Sequence, residues 1–135
     1  DYIYDKIAEA PEVDAVHVVT NQKFSAGFEE WAKKHKGRLP IVVHNDGTLT
    51  NDDRLGAIGD IRFTVQNGKL AGEDLLVIAG DNLFDYSPAD YVSYWKSKGE
   101  ASALALYKRA GFAAYKEEVE ISDDPRALGL IPWTK

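Results

Sequence analysis

An apolar run within residues 74–84 constrains the fold more than any other part of the chain. Residues 75–79 are all apolar, and two of them are β-branched. Such a run predicts a central strand of a parallel sheet that is covered on both faces. Gly80 follows and lacks a Cβ, so the backbone can turn or approach a ligand there. Because open α/β sheets bind ligands at the carboxyl ends of their strands, Asp81 and Asn82 are predicted to lie at such a site.

The other segments alternate between strand-like and helix-like patterns. Runs typical of strands occur at residues 15–20, 40–44 and 102–107, and helical spacing of apolar residues occurs at 2–9, 23–36, 55–68 and from 88 onward. Ser87 can cap the last of these helices, and Pro88 suits its first turn. Val92 and Trp95 are predicted to form its inner face. This order predicts an α/β fold with a parallel sheet in three layers.

The composition limits the classes of protein that the chain can represent. A length of 135 residues suits one domain, predicted here to span 1–135. The net charge of -6 argues against nucleic acid and anionic membranes as partners. Without cysteine there is no disulfide, thiolate nucleophile or cysteine-ligated zinc. No apolar run approaches the about 20 residues that span a bilayer, and no secretory signal is visible, so elimination favours the cytoplasm.

A polar loop at residues 45–55 leads into the third predicted helix and forms a second candidate region. Thr50 or Asn51 is predicted to cap that helix. Gly56 and Gly59 remove side chains where a ligand could come close. The alternative is that these small residues pack the helix tightly onto the sheet, because an interior glycine costs about 1 kcal/mol relative to alanine and needs some reason.

Structural roles compete with functional ones at other polar positions too. Asp81 could be a turn residue that bonds its own backbone. His17 and His44 lie within predicted strands, which favours a place in the core or on the sheet surface. The chain contains no G-x-S-x-G, G-x-x-x-x-G-K-[ST] or G-x-G-x-x-G motif. Chemistry is therefore predicted only at the two strand-end regions.

Three segments occur in an order that resembles a known family. They are V-H-V-V-T-N at residues 16–21, N-D-D-R-L-G-A-I-G-D at 51–60 and D-L-L-V-I-A-G-D-N-L-F at 74–84. The second and third are specific, and the first is supportive. Over residues 1–108 the chain resembles the sugar-1-phosphate nucleotidylyltransferases, in particular the glucose-1-phosphate thymidylyltransferase-like branch.

The resemblance implies a three-layer, Rossmann-like nucleotidyltransferase core with a mostly parallel sheet. Members of the family transfer a nucleotidyl group from a nucleoside triphosphate to a sugar phosphate and release pyrophosphate. By this resemblance Asp81 would bind Mg²⁺. Gly56 and Ala57 would lie near the base, and Gly80 and Asn82 would also contact the nucleotide.

The chain also departs from the family pattern. Members open with a glycine-rich G-G-x-G-T-R loop that grips the triphosphate, and the sequence begins beyond the position of that loop. No glutamine occurs among residues 55–58 to read a pyrimidine, and residues 109–135 match no part of the family. We therefore expect impaired turnover. The alternative is a non-catalytic fragment or recombined α/β domain with weak nucleotide binding, which could self-associate through an exposed sheet edge.

Overall fold

The computed structural model describes residues 1–35, 37–81, 83–99 and 102–103. Residues 1–103 form one compact unit. Within the described residues the elements are, in chain order, α1 (Tyr2–Ala8), β1 (Val16–Thr20), α2 (Gln22–Lys34), β2 (Ile41–Asn45), α3 (Gly56–Gly68) and α4 (Pro88–Ser97). The four predicted helices are confirmed, as are the first two strands, each to within two residues. The prediction of a single domain over 1–135 stays a prediction.

Strands β1 and β2 pair in parallel, with Val16 opposite Ile41 and Thr20 opposite Asn45. Helix α2 connects them, which is the arrangement that parallel neighbours require because a tight turn cannot join them. Both α2 and α3 contact β1, and α2 also contacts β2. Helices around a parallel strand pair confirm the α/β class of the fold.

Capping explains where two of the helices begin. The Asn21 side chain accepts a hydrogen bond from the backbone N–H of Phe24 at 3.2 Å, so α2 starts directly after β1. The Ser87 side chain caps α4 by accepting from the backbone N–H of Asp90, and Pro88 occupies the first helical position. The start predicted for α4 is therefore confirmed.

The cap predicted for α3 is wrong. This helix begins at Gly56 with Leu55 before it, and no side chain in the described part of the protein caps it. Thr50 is not free for that role, because its backbone N–H and its hydroxyl both donate to Asp53 Oδ1. The residues before the helix thus form a local turn of their own.

The buried centre of residues 1–103 lies where α1 meets the segment that enters β2. Tyr4 and Leu39 are both buried, and the Tyr4 hydroxyl accepts from the Leu39 N–H at 2.8 Å and donates to its carbonyl at 2.9 Å. Arg38 donates to the backbone carbonyl of Ala8, the last residue of α1, and to two carbonyls of the segment between α1 and β1. In α4, Val92 is buried as predicted. These contacts hold α1 against the amino-terminal end of the sheet.

The buried strand predicted at residues 75–79 is wrong. These residues have no regular secondary structure, and Leu75 and Val77 are 48% and 60% exposed. Leu76 and Ile78 are half-buried, so the side chains alternate as they do along an extended chain with one side on the protein. A strand also needs a hydrogen-bonded neighbour, and among the described residues β1 and β2 pair only with each other.

The predicted strand at residues 102–107 falls mainly outside the described residues. Residues 102 and 103 are described and are not in a strand. The tail predicted at 109–135 also lies outside them. No helix in the described part of the chain is long and apolar enough to cross a membrane.

Candidate functional site

The carboxyl ends of β1 and β2 meet at a polar loop. The Asp46 N–H donates to the Thr20 carbonyl at 3.0 Å, which extends the strand pairing by one bond. The Gln22 N–H donates to the Thr48 carbonyl at 3.1 Å and so joins the start of α2 to the loop after β2. Because the strands are parallel, both of their carboxyl ends open at this edge of the sheet.

Asn45 and Asp46 shape this loop through their side chains. Asn45 Nδ2 donates to Gln22 Oε1 at 2.7 Å, and its Oδ1 accepts from the Gly47 N–H at 2.9 Å. Asp46 Oδ1 accepts from both the N–H and the hydroxyl of Thr48, each at 2.8 Å. Gly47 has a φ of +77°, a backbone conformation that favours glycine. Thr48 is buried as a result, although it lies in a loop.

A second carboxylate, that of Asp60 on α3, comes close to Asp46. Asp60 Oδ1 is buried and has no hydrogen-bond partner among the described residues. Burial raises the pKa of the Asp60 carboxyl, and the negative charge of Asp46 raises it further. The carboxylate of Asp46 in the loop and that of Asp60 on the helix thus influence each other electrostatically.

Asp53 forms the turn that precedes α3. Its carboxylate accepts from the backbone N–H groups of Leu49, at 3.0 Å, and Thr50, at 2.8 Å. These backbone bonds, Leu49 first, lower the pKa of the Asp53 carboxyl, because they favour its charged form. Asp53 is thus a structural residue of the loop.

Gly56 and Ala57 form the exposed first turn of α3. Gly56 has a φ of +72°, and a Cβ placed on it would meet no other heavy atom within 4 Å among the described residues. The backbone conformation therefore favours glycine here, and packing does not. Among the described residues no side chain caps α3, so its first N–H groups have no side-chain acceptor at the positive end of the helix dipole.

Gly80 and Asp81 lie in an exposed turn at the end of the apolar segment. A Cβ on Gly80 would also meet nothing within 4 Å in the described part of the structure. Asn82 lies outside the described residues. No described hydrogen bond or ion pair joins Asp81 to Gly56 or Ala57, and the described residues contain no group of three or more His, Asp or Glu that could hold a metal ion. The nucleotide and metal roles of these residues stay predictions.

The structure also reveals a pair of histidines whose contact sequence reasoning missed. His17 Nδ1 and His44 Nε2 lie 2.8 Å apart, and the two rings are nearly parallel, with centroids separated by 5.1 Å. The register explains the contact: His17 lies opposite Val42, and His44 lies opposite Val19, so all four side chains share one face of the sheet. Alternation along each strand predicts that His17 shares a face with Val19 and that His44 shares a face with Val42. Only the register between the strands shows that the two histidines are neighbours.

Asp60 was missed in a different way. It ends the segment at residues 51–60 that carries the resemblance, but nothing in the sequence signals its approach to Asp46, which depends on how α3 lies against β1. Neither a protein-family model, nor a curated protein, nor a solved structure matches this chain.

Proposed function

We propose that this chain is a nucleotidyltransferase-like domain that binds a nucleoside triphosphate at the carboxyl end of its parallel strands. The proposed core is the three-layer, Rossmann-like one of the sugar-1-phosphate nucleotidylyltransferases. The observation that carries the proposal is one of order: two of the resembling segments, 16–21 and 51–60, lie on β1 and on the loop that leads into α3. By the resemblance, the start of α3 at Gly56 and Ala57 would lie near the base.

The geometry around α3 supports binding of an anionic ligand there. The first turn of the helix is exposed and has no capping side chain, so its N–H groups are available as donors. Gly56 leaves open space beside them, which would let a base or a phosphate approach the backbone closely. In the proposal, Gly56 and Ala57 contact the nucleoside, and Gly80 and Asn82 contact it from the turn after the apolar segment.

The proposed role of Asp81 agrees with the way proteins usually bind Mg²⁺. This ion is commonly held by one or two carboxylates together with substrate phosphates. Asp81 is exposed and offers one carboxylate, which suits an ion that arrives with the triphosphate. When bound, Mg²⁺ would supply positive charge to the phosphates. The protein would bind and orient the nucleotide.

Turnover by these residues alone is expected to be low. Nucleotidyl transfer depends on positioning and on charge stabilisation around the triphosphate. The sequence contains no G-G-x-G-T-R motif to hold it, and the described residues contain no group of three or more His, Asp or Glu that could hold a metal ion. The second candidate function is therefore nucleotide binding without catalysis, by a fragment or recombined domain that could pair through a sheet edge.

Titration with a nucleoside triphosphate and Mg²⁺ tests the proposal. We expect Asp81→Ala to weaken magnesium-dependent binding about tenfold, which corresponds to about 1.4 kcal/mol. Asp85→Ala is the matched control, because Asp85 is an exposed carboxylate four residues away. Equal binding by wild type, Asp81→Ala and Asp85→Ala would remove Asp81 from the site.

Pyrophosphate release then separates the two candidates. Release that requires both a triphosphate and a sugar phosphate would support the enzyme. Magnesium-dependent binding without release would favour the non-catalytic alternative. If the folded protein binds no triphosphate, both are wrong. Size-exclusion chromatography over a range of concentrations tests self-association, which a monomer at high concentration would contradict.

A further inference from the structure

The His17–His44 pair connects three elements of the fold. His17 belongs to β1 and His44 to β2, and the hydrogen bond between their rings joins the two strands on one face of the sheet. His17 also lies against the end of α3, because a Cβ placed on Gly68 would be only 3.2 Å from His17 Nδ1. His44 is buried, with 9% of its surface exposed. The pair therefore lies where the sheet meets the last turn of α3.

Proton counting limits the charge that this pair can hold. In the 2.8 Å contact one facing nitrogen must donate its N–H and the other must accept. The contact survives one added proton, because the donor ring can become an imidazolium while the acceptor ring stays neutral. A second added proton places an N–H on both facing nitrogens. The hydrogen bond is then lost, and two positive charges face each other.

The surroundings make this second protonation unfavourable. Burial lowers the pKa of His44, and the charge of His17 lowers it further. Helix α3 carries Asp60 and Arg62, and Asp46 follows β2. Helix α2, which also packs on both strands, carries the titratable residues Lys23, Glu29, Glu30, Lys33 and Lys34 and is followed by His35. Of all these charges, only that of His17 has a resolved effect on His44.

We propose that the His17–His44 pair is a pH-sensitive latch that holds the end of α3 on the sheet while at most one of its two rings is protonated. At acidic pH the second proton breaks the bond between the rings. Charge repulsion then separates β1 from β2 at this point and frees the last turn of α3. The latch does not depend on nucleotide binding.

Proton linkage gives the size of the effect. Between the ordinary histidine range and the lowered folded pKa of His44, the unfolded chain binds a proton at His44 that the folded protein excludes. The stability that His44 contributes is therefore complete above the ordinary histidine range and is lost as the pH falls through the folded value. Within that window the unfolding constant should rise by up to about tenfold per pH unit.

Urea unfolding between about pH 7.5 and about pH 5 tests this linkage. Glutamine at position 44 can still bond His17 but cannot become charged. His44→Gln should therefore lose this pH-dependent component. His17→Gln should lose only the part that the charge of His17 causes and keep the part that burial of His44 causes, so its slope should lie between those of wild type and His44→Gln. His35→Gln is the matched control, because it removes the third histidine of the chain outside the pair, and it should keep the wild-type slope. A wild-type slope in both pair variants would overturn the proposal.

Two measurements on the wild-type protein keep the test decisive if a variant fails to fold. Imidazole ¹⁵N shifts should show the pair titrating in two separate steps, and a single shared step would contradict the latch. Amide hydrogen exchange, corrected for its intrinsic pH dependence, should show the end of α3 losing protection at acidic pH before α4 does. Equal loss in both helices would mean that the pair acts only on global stability.

Discussion

Two loops of this protein lie at or beside predicted site residues, and they are held in opposite ways. Residues 45–53, after β2, are polar, and their own side chains bond their own backbone at Gly47, Thr48, Leu49 and Thr50. Residues 74–81 are mainly apolar, yet Leu75 and Val77 are exposed and no described hydrogen bond orders their backbone. The comparison shows that a loop of this chain is held in place when its backbone N–H groups find hydrogen-bond acceptors. A run of apolar side chains is not enough to do the same.

The largest effect is expected where the ordered loop loses its central acceptor. Asp46→Ala removes both hydrogen bonds to Thr48 and leaves a buried N–H and a hydroxyl without a partner, so stability should fall by about 1–3 kcal/mol. Chemical denaturation measures the loss. Asp46→Asn keeps an acceptor oxygen and should stay close to wild type. If the asparagine variant is as unstable as the alanine one, charge and not hydrogen bonding orders this loop.

A smaller effect of opposite sign is expected at Asp60. Burial first, and then the charge of Asp46, raise the pKa of the Asp60 carboxyl, so this group favours folding at low pH and loses that contribution as the pH rises through its folded value. Asp60→Asn removes the charge and should raise the denaturation midpoint at neutral pH.

The same Asp60 substitution should have little effect below the ordinary carboxyl range, where Asp60 is protonated in both the folded and the unfolded states. Unfolding midpoints measured at neutral and at strongly acidic pH check this. A gain of equal size at both pH values would show that packing, and not charge, is responsible.

The smallest effect is expected in the apolar segment. Val77→Thr changes a side chain that is 60% exposed, so stability should change by no more than about 0.5 kcal/mol. Val92→Ala, at a buried position of α4, is the contrasting control and should cost about 2 kcal/mol. Comparable losses from the two substitutions would mean that the apolar segment is buried in solution, as its sequence predicts.

Local sequence signals predicted most of the secondary structure correctly. The cap at Ser87, Pro88 in the first turn of α4, and the β-branched runs of β1 and β2 all act through neighbours in the chain. The cap at Asn21 is equally local, but it was not predicted. The signals failed at residues 75–79 and at the start of α3. A strand depends on a hydrogen-bonded neighbour, and Thr50 bonds Asp53 instead of capping the helix.

The residues of the candidate site also fall into two groups, those that were predicted and those that were missed. Gly56, Gly80 and Asp81 were predicted from local sequence patterns, and Ala57 came from the resemblance alone. The approach of Asp60 to Asp46 and the contact of His17 with His44 could not be predicted, because each joins residues from different elements.

The sequence by itself determined the helices, the two strands and the polar loop between β2 and α3, since turns and caps depend on residues only a few positions apart. Tertiary structure alone decided which side chains meet. The parallel register of β1 and β2 places His17 Nδ1 2.8 Å from His44 Nε2. The tertiary structure also lets the charge of Asp46 raise the pKa of the Asp60 carboxyl on α3. Such contacts depend on burial and distance across elements, which alternation along one strand or helix does not encode.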